Sequence, residues 1–230
     1  MDTAAGSAAE ALATFLAGDL VEVTLLSLGV SGLATAISLV IGLPLGTWLA
    51  LAKFRSRGLT LSFVNTGMAL PPVVVGLFVA SLLWRSGPLG GLDLIYTPTA
   101  MVVAEVIIAA PIVVGLTAAS LGQLDPRLRL QLLGLGASRR QMIWWLWKEA
   151  RLPLLAALMA AFGSVISEVG AAMMVGGNIR HQTRVLTTSI VLETGKGEFA
   201  AAIGLGIVLL ALAFLVNVVL TWAQQRGPRP

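Results

Sequence analysis

The chain is 230 residues long, 57% hydrophobic and 11% charged, with a formal net charge of +4 and a mean hydropathy of +0.91. Soluble domains carry about 25% charged residues, so water cannot be the solvent of most of this surface, and lipid takes its place. With no cysteine there is no disulfide, thiolate metal site or thiol nucleophile, and the single histidine, His181, excludes a multi-histidine metal centre.

In chain order, residues 1–19 carry three acids and no Lys or Arg ahead of the first apolar run. That pattern does not match a cleaved signal peptide, and residues 8–16 read as a short helix lying at the membrane surface. A helix needs about 20 apolar residues to cross the hydrocarbon core. Five segments meet that requirement: residues 20–52, 59–84, 98–121, 153–175 and 200–223. Pro71 and Pro72 fall near the middle of the second and Pro111 within the third. Interior prolines are tolerated in such spans because neighbouring helices satisfy the freed backbone groups. The fold class expected is an all-α integral membrane protein of about five transmembrane helices.

Five crossings put the termini on opposite sides, and loop charge chooses between them. With the N-terminus outside, the inner segments hold Lys53, Arg55, Arg57, Arg127, Arg129, Arg139, Arg140, Lys148, Arg151, Arg226 and Arg229, and the outer ones hold Arg85, Arg180, Arg184 and Lys196. Eleven against four places the N-terminus outside and the C-terminus inside. The same distribution speaks against nucleic acid, since the cations line membrane borders on one side. The expected organisation is an extracytoplasmic segment over 1–19, a transmembrane domain over 20–223 and a cytoplasmic tail over 224–230.

Two connections are long. The inner one, residues 122–152, reads as two helices with a break. Asp125-Pro126 is a helix start, Gly134 and Gly136 interrupt the helix, and Ser138 with Gln141 three residues on forms a capping box. Trp144, Trp145 and Trp147 suit a segment at headgroup level, and Leu152-Pro153 turns the chain into the fourth span. On the residues alone this loop is either an amphipathic surface anchor or a docking site. A phosphate-binding loop needs Gly-Lys followed by Ser or Thr, with a glycine five residues upstream. The one Gly-Lys here, Gly195-Lys196, precedes Gly197 and has Ile190 upstream, so no cofactor is expected on this chain.

The outer loop, residues 176–199, carries Gly176-Gly177-Asn178, Arg184, Thr187 and Thr188, which offer donors suited to an oxyanion or form an ordinary loop and polar helix start. Glu105 and Glu168 lie about 7 residues inside their spans, roughly 10 Å deep at 1.5 Å per residue, where a charge costs several kcal/mol unless paired or hydrated. Two carboxylates would repel a dianion, which favours packing or gating over substrate contact. Pro71-Pro72 forms a kink, a hinge or a constriction. Met173 and Met174 are expected to pack, with a gate as the alternative, and Gly163 and Ser167, one turn apart, suit close helix contact. A membrane-embedded enzyme would need ionisable groups gathered at one depth, and Glu105 and Glu168 are too few. A passive anchor leaves the mid-membrane prolines and acids without a purpose.

Gly136-Ala137-Ser138 followed by Leu152-Pro153 resembles the cytoplasmic loop of ABC importer permeases that carries the Glu-Ala-Ala motif. The stretches Ser167–Ile179, Thr183–Thr194, Pro71–Gly76 and Ala109–Val113 are similar to those of tungstate permease subunits, which group with molybdate and sulfate permeases. The resemblance implies a type I importer transmembrane domain in a prokaryotic cytoplasmic membrane, forming a homodimer. It also implies two copies of an ABC ATPase holding ATP and Mg, an extracytoplasmic oxyanion-binding protein, and a coupling contact at Gly136, Ala137, Ser138, Arg139 and Pro153. Where the family has Glu-Ala-Ala this chain reads Leu130-Gln131-Leu132, so the glutamate's contact does not carry over.

Overall fold

The computed structural model describes residues 2–225, and among them it holds ten α-helices, one short 3-10 turn (Gly90–Leu92) and no strand. Arg226 and Arg229, counted above on the inner side, lie outside the described residues together with most of the 224–230 tail. Helix α1 (Asp2–Leu51) is 50 residues long, and its segment Asp19–Leu51 is apolar enough to cross a membrane. The separate surface helix expected over 8–16 is the first part of α1. The alanine-rich start propagates helix well, and no proline stands before Pro44 to end it.

Helix α4 (Pro98–Gly122) starts where Thr97 caps the Ala100 amide at 3.3 Å and Pro98 takes the first helical position. Helix α10 (Phe199–Gln225) matches the fifth span. Two spans differ from expectation. Residues 59–84 form α2 (Arg57–Met68) and α3 (Pro72–Leu83), which meet at 94°. Pro71 is extended (φ −63°, ψ 121°) and Pro72 opens α3. The pair therefore starts a new helix instead of kinking one, because neither residue has an N–H and the residue before a proline avoids helical dihedrals.

The stretch 153–175 is also divided, into α7 (Arg151–Ile166) and α8 (Gly170–Gly176). At the break the Ser167 hydroxyl donates to the Gly163 carbonyl at 2.8 Å and the Glu168 carboxylate accepts from the Ala171 amide at 2.9 Å. Side chains that bond the backbone locally compete with the helical ladder. The inner loop folds as α5 (Pro126–Gly134) and α6 (Arg139–Glu149), and α6 meets α7 at 73°. Between α8 and α10 the outer loop contains an 11-residue helix, α9 (Leu186–Lys196). Three helices are long enough to span alone, and counting each bent pair as one brings the number to five.

Small residues set the packing. Ala34, Ser38, Gly42 and Gly46 recur every fourth residue and form one stripe along α1, which lies against α4. A Cβ on Gly42 would stand 2.6 Å from the Val113 side chain, and one on Gly46 2.7 Å from the Val114 carbonyl oxygen. Helices α3 and α8 meet as closely, with a Cβ on Gly76 2.6 Å from the Ala171 backbone. The contact expected at Gly163 is absent: nothing lies within 4 Å of a Cβ built there.

The ends of the bundle are tied separately. At the basic end, Arg57 Nε and Arg129 Nη1 donate to the Leu49 and Leu51 carbonyls at 3.0 and 3.3 Å, closing the C-terminus of α1 with positive charge. At the other end Arg180 pairs with Asp19 at 2.8 Å and His181 with Glu22 at 2.7 Å. The surface between is apolar and exposed, including Val40, Phe63, Leu210 and Phe214.

Candidate functional site

The sequence-predicted residues fall into two groups, one at each end of the bundle. At the basic end, α5 and α6 meet in a rigid elbow. Asp125 caps α5 through the Arg127 amide at 2.8 Å. Helix α5 ends in a Schellman arrangement, with the Gly136 amide donating to the Leu133 carbonyl and the Ala137 amide to the Leu132 carbonyl, each at 3.0 Å. Gly136 takes φ +82°, a left-handed value that glycine adopts without a Cβ clash. Two residues later the expected capping box is complete: Ser138 Oγ accepts from the Gln141 amide and Gln141 Oε1 from the Ser138 amide.

The elbow projects from the bundle. Leu130, Leu133 and Leu135 are 69%, 42% and 85% exposed, and Arg139 and Arg140 are exposed beside them. An exposed apolar patch rimmed by cations suits contact with another protein or with the membrane surface. Leu130, at the position where the resemblance would put a glutamate, presents an exposed apolar side chain instead. Pro153 lies in the first turn of α7, three residues past the turn at Ala150.

The second group surrounds the broken helices. Val73 and Gly76 of α3 pack on Gly170, Ala171 and Met174 of α8, which sets α8 against the start of α3 just after the Pro71-Pro72 elbow. Met173 and Met174 are 36% and 41% exposed, not packed into the core as expected. Helix α8 is seven residues long, and although the Met174 Cβ meets α3 at Gly76, both methionine side chains keep part of their surface open. Pro71, Leu70 and Val74 are exposed on the same wall.

Glu168 lies at the break between α7 and α8, not inside a continuous helix. It is buried, caps α8 with its carboxylate, and its carbonyl accepts from the Thr187 hydroxyl at 2.8 Å. Glu105 on α4 is buried too. Its carboxyl lies near Ser31 of α1, and its Oε2 has no hydrogen-bond partner. The Glu168 contacts tie the α7–α8 break to α9, whereas the Glu105 carboxyl keeps an unpartnered oxygen.

Gly177 (φ +70°) and Asn178 (φ +52°) end α8, and the Tyr96 ring sits so close to Gly177 that a Cβ there would be 2.7 Å from it. Arg184 donates to the Asn178 side-chain oxygen at 3.3 Å and to its carbonyl at 3.4 Å. The Thr188 hydroxyl donates to the Val185 carbonyl and accepts from its amide. Thr187 and Thr188 are thus buried and use their hydroxyls within the fold, while Arg184 remains partly exposed. Gly195-Lys196 ends α9, with Lys196 on Glu193 at 2.8 Å, whereas a phosphate loop would open a helix.

Sequence reasoning missed Thr183. It is wholly buried, donates to the Gly176 carbonyl and accepts from the Ile179 amide, closing the 176–184 turn on itself. Leaving the buried Gly176 carbonyl unpaired costs about 1–3 kcal/mol, and the part-buried Ile179 amide loses its partner as well. Thr183→Val is therefore expected to lower the melting temperature of the purified protein and speed amide exchange at Ile179. An unchanged melting curve would show that the turn holds without this hydroxyl. The only signal in the sequence was a threonine between two glycines and a helix start, which is weak.

The chain matches the family model described as binding-protein-dependent transport system inner membrane component over residues 42–226. The chain belongs to that family. This permease is 38% identical over 214 residues to a probable anion ABC transporter permease protein of Haloferax volcanii, covering 91% of this chain and 92% of that protein. It is 40% identical over 200 residues to the tungstate uptake system permease protein TupB of Peptoclostridium acidaminophilum, covering 87% and 88%. Among solved structures, an inward-facing form of the MetNI methionine ABC transporter superposes with a TM-score of 0.74 over 91% of this chain and 96% of that one, at 18% identity. That likeness establishes the fold, the transmembrane domain of a type I importer. The permease is a multi-pass protein of the inner membrane.

Proposed function

We propose that this permease carries an oxyanion, tungstate, into the cell, receiving it from an external binding protein and driven by ATP hydrolysed with Mg on separate ATPase chains. The observation that carries the reading is the exposed elbow at Gly136, a rigid projection at the basic end with an apolar, cation-rimmed surface suited to an ATPase groove. Its residues Gly136, Ala137, Ser138 and Arg139, with Pro153 at the base of α7, form the coupling contact. The elbow lies inside and the N-terminus outside, as the excess of Lys and Arg at this end requires. Two copies of the chain pair about a two-fold axis with two ATPases.

The path runs past the α3–α8 wall, where Pro71, Pro72, Met173 and Met174 form the gate. Glu105 and Glu168 hold that gate's helices, while Gly177, Asn178, Arg184, Thr187 and Thr188 shape its outer mouth. Closure of the ATPases moves both elbows together and opens the path outward; release reverses it. Support for the cargo comes from the end-to-end likeness to a tungstate uptake permease.

The test is transport by the assembled complex with its external binding protein in vesicles. Tungstate is expected to stimulate ATP hydrolysis and uptake at a lower concentration than molybdate or sulfate. Stimulation by sulfate or molybdate at the lower concentration overturns the cargo and leaves the permease assignment standing.

A further inference from the structure

Two cavities meet at Trp48 on α1. One, of about 630 Å³, is enclosed by the ends of α1, α5 and α6 and includes Thr47, Arg129, Arg139 and Trp147. The other, of about 360 Å³, is a trough between α1, α2 and α4 bordered by Ile41, Leu45, Phe63, Pro111 and Val114. Trp48 lines both and forms the ridge between them. Its ring is stacked on Phe54 at 5.0 Å, and the Trp147 indole N–H is already taken by Thr47 at 2.8 Å. The Trp147 donor is therefore spent, and the charged donors of the cup are those of Arg139 and of Arg129, which gives one N–H to the Leu51 carbonyl.

The chemistry changes sharply across that ridge. The trough is lined almost entirely by apolar side chains at the depth of the spans. The cup sits where α1 ends, at the border marked by Trp144 and Trp145. Arg129 also lines the neighbouring cavity, which adds Lys53 and Arg57 and in which Asp125 is the one acid. A basic cup opening over an aromatic ridge into a dry trough has the shape and polarity of one phospholipid. The charge selects its headgroup. A zwitterionic head would bring an ammonium against two to four cations, whereas an anionic one brings phosphate alone.

We propose that this cup and trough bind an anionic phospholipid, with its phosphate between Arg129 and Arg139 and one acyl chain laid over Trp48 against Leu45 and Phe63. The lipid rests against α1, α5 and α6 together and braces the base of the elbow. The site depends on the membrane-spanning fold and not on the identity of the cargo.

Native mass spectrometry of the assembled complex, released from vesicles of equal phosphatidylglycerol and phosphatidylcholine with matched chains, reads the site directly. The wild type is expected to keep phosphatidylglycerol in preference to phosphatidylcholine. Arg139→Gln lowers that retention about five-fold, the worth of one cation near a membrane surface, and Arg139→Lys restores most of it. Leu45→Trp, which fills the trough, lowers retention of both lipids; Ile41→Phe fills it from the next turn should that variant assemble poorly. Equal retention of the two lipids, or no loss in Arg139→Gln, overturns the proposal. Displacement of bound phosphatidylglycerol by soluble glycerol phosphate at similar concentration overturns it too, since the site would then read phosphate without a chain. Because the readout is lipid retained, failure here leaves the coupling role of the elbow untouched.

Discussion

Gly46→Leu is expected to leave little folded permease in the membrane, and Gly46→Ala to lower stability by about 1–3 kcal/mol. A Cβ at this position meets the Val114 carbonyl oxygen at 2.7 Å and the Thr117 side chain at 2.6 Å. One obstacle is backbone and the other is the Cβ of Thr117, neither of which can rotate away, so α1 and α4 must separate along their length. The stripe Ala34, Ser38, Gly42, Gly46 makes that a shared loss. In lipid, helix association depends on close packing because apolar burial drives it little. Gly163→Ala is the matched control: its Cβ enters open space, and the effect should stay within about 0.5 kcal/mol. Thermal unfolding of the detergent-solubilised protein separates the two. Equal midpoints for Gly46→Leu and the wild type would mean that the α1–α4 contact is looser than described.

Gly136→Val is expected to lower uptake by about ten- to a hundred-fold while the protein still folds and inserts. A β-branched residue at φ +82° is strained by about 1–3 kcal/mol, each 1.4 kcal/mol being a factor of ten. The strain acts on the Schellman bonds to Leu132 and Leu133 and is relieved only if α5 and α6 change their angle. The elbow is exposed and nothing lies within 4 Å of an added Cβ, so bulk itself costs nothing and the core is untouched. Gly136→Asn should be milder, because asparagine visits left-handed dihedrals. Uptake and receptor-stimulated ATP hydrolysis are the measurements. If both survive the valine unchanged, the elbow does not transmit force.

Much of this architecture could be read before any coordinates. Thr97-Pro98, Asp125-Pro126 and Ser138-Gln141 are local signals, and each sits at the helix start it announces, because capping is decided within four residues. The long apolar runs gave α1, α4 and α10 for the same kind of reason. What escaped was decided by contacts distant in sequence. Pro71-Pro72 announced a disruption but not a 94° elbow, whose angle is set by Gly76 packing on Ala171 almost a hundred positions away. The break at Glu168 was hidden inside an apolar run, and no periodicity separates 16 helical residues plus seven from an unbroken 23. At the site, residue types pointed to donors at Thr187 and Thr188, yet their hydroxyls are used internally, a fact that depends on where Glu168 and Val185 come to lie.

The bond from Thr187 to the Glu168 carbonyl has a mechanical meaning. Together with the Tyr96 amide on the Val175 carbonyl at 2.9 Å and the Leu186 amide on Ser27 at 2.9 Å, it fastens α8, α9, the loop before α4 and the wall of α1 into one block. A force applied to the 178–184 turn is then not absorbed by a soft loop. It arrives at the α7–α8 break as displacement, as a stiff crank delivers motion to its pin, and the compliance of the molecule is concentrated at the α2–α3 and α7–α8 breaks.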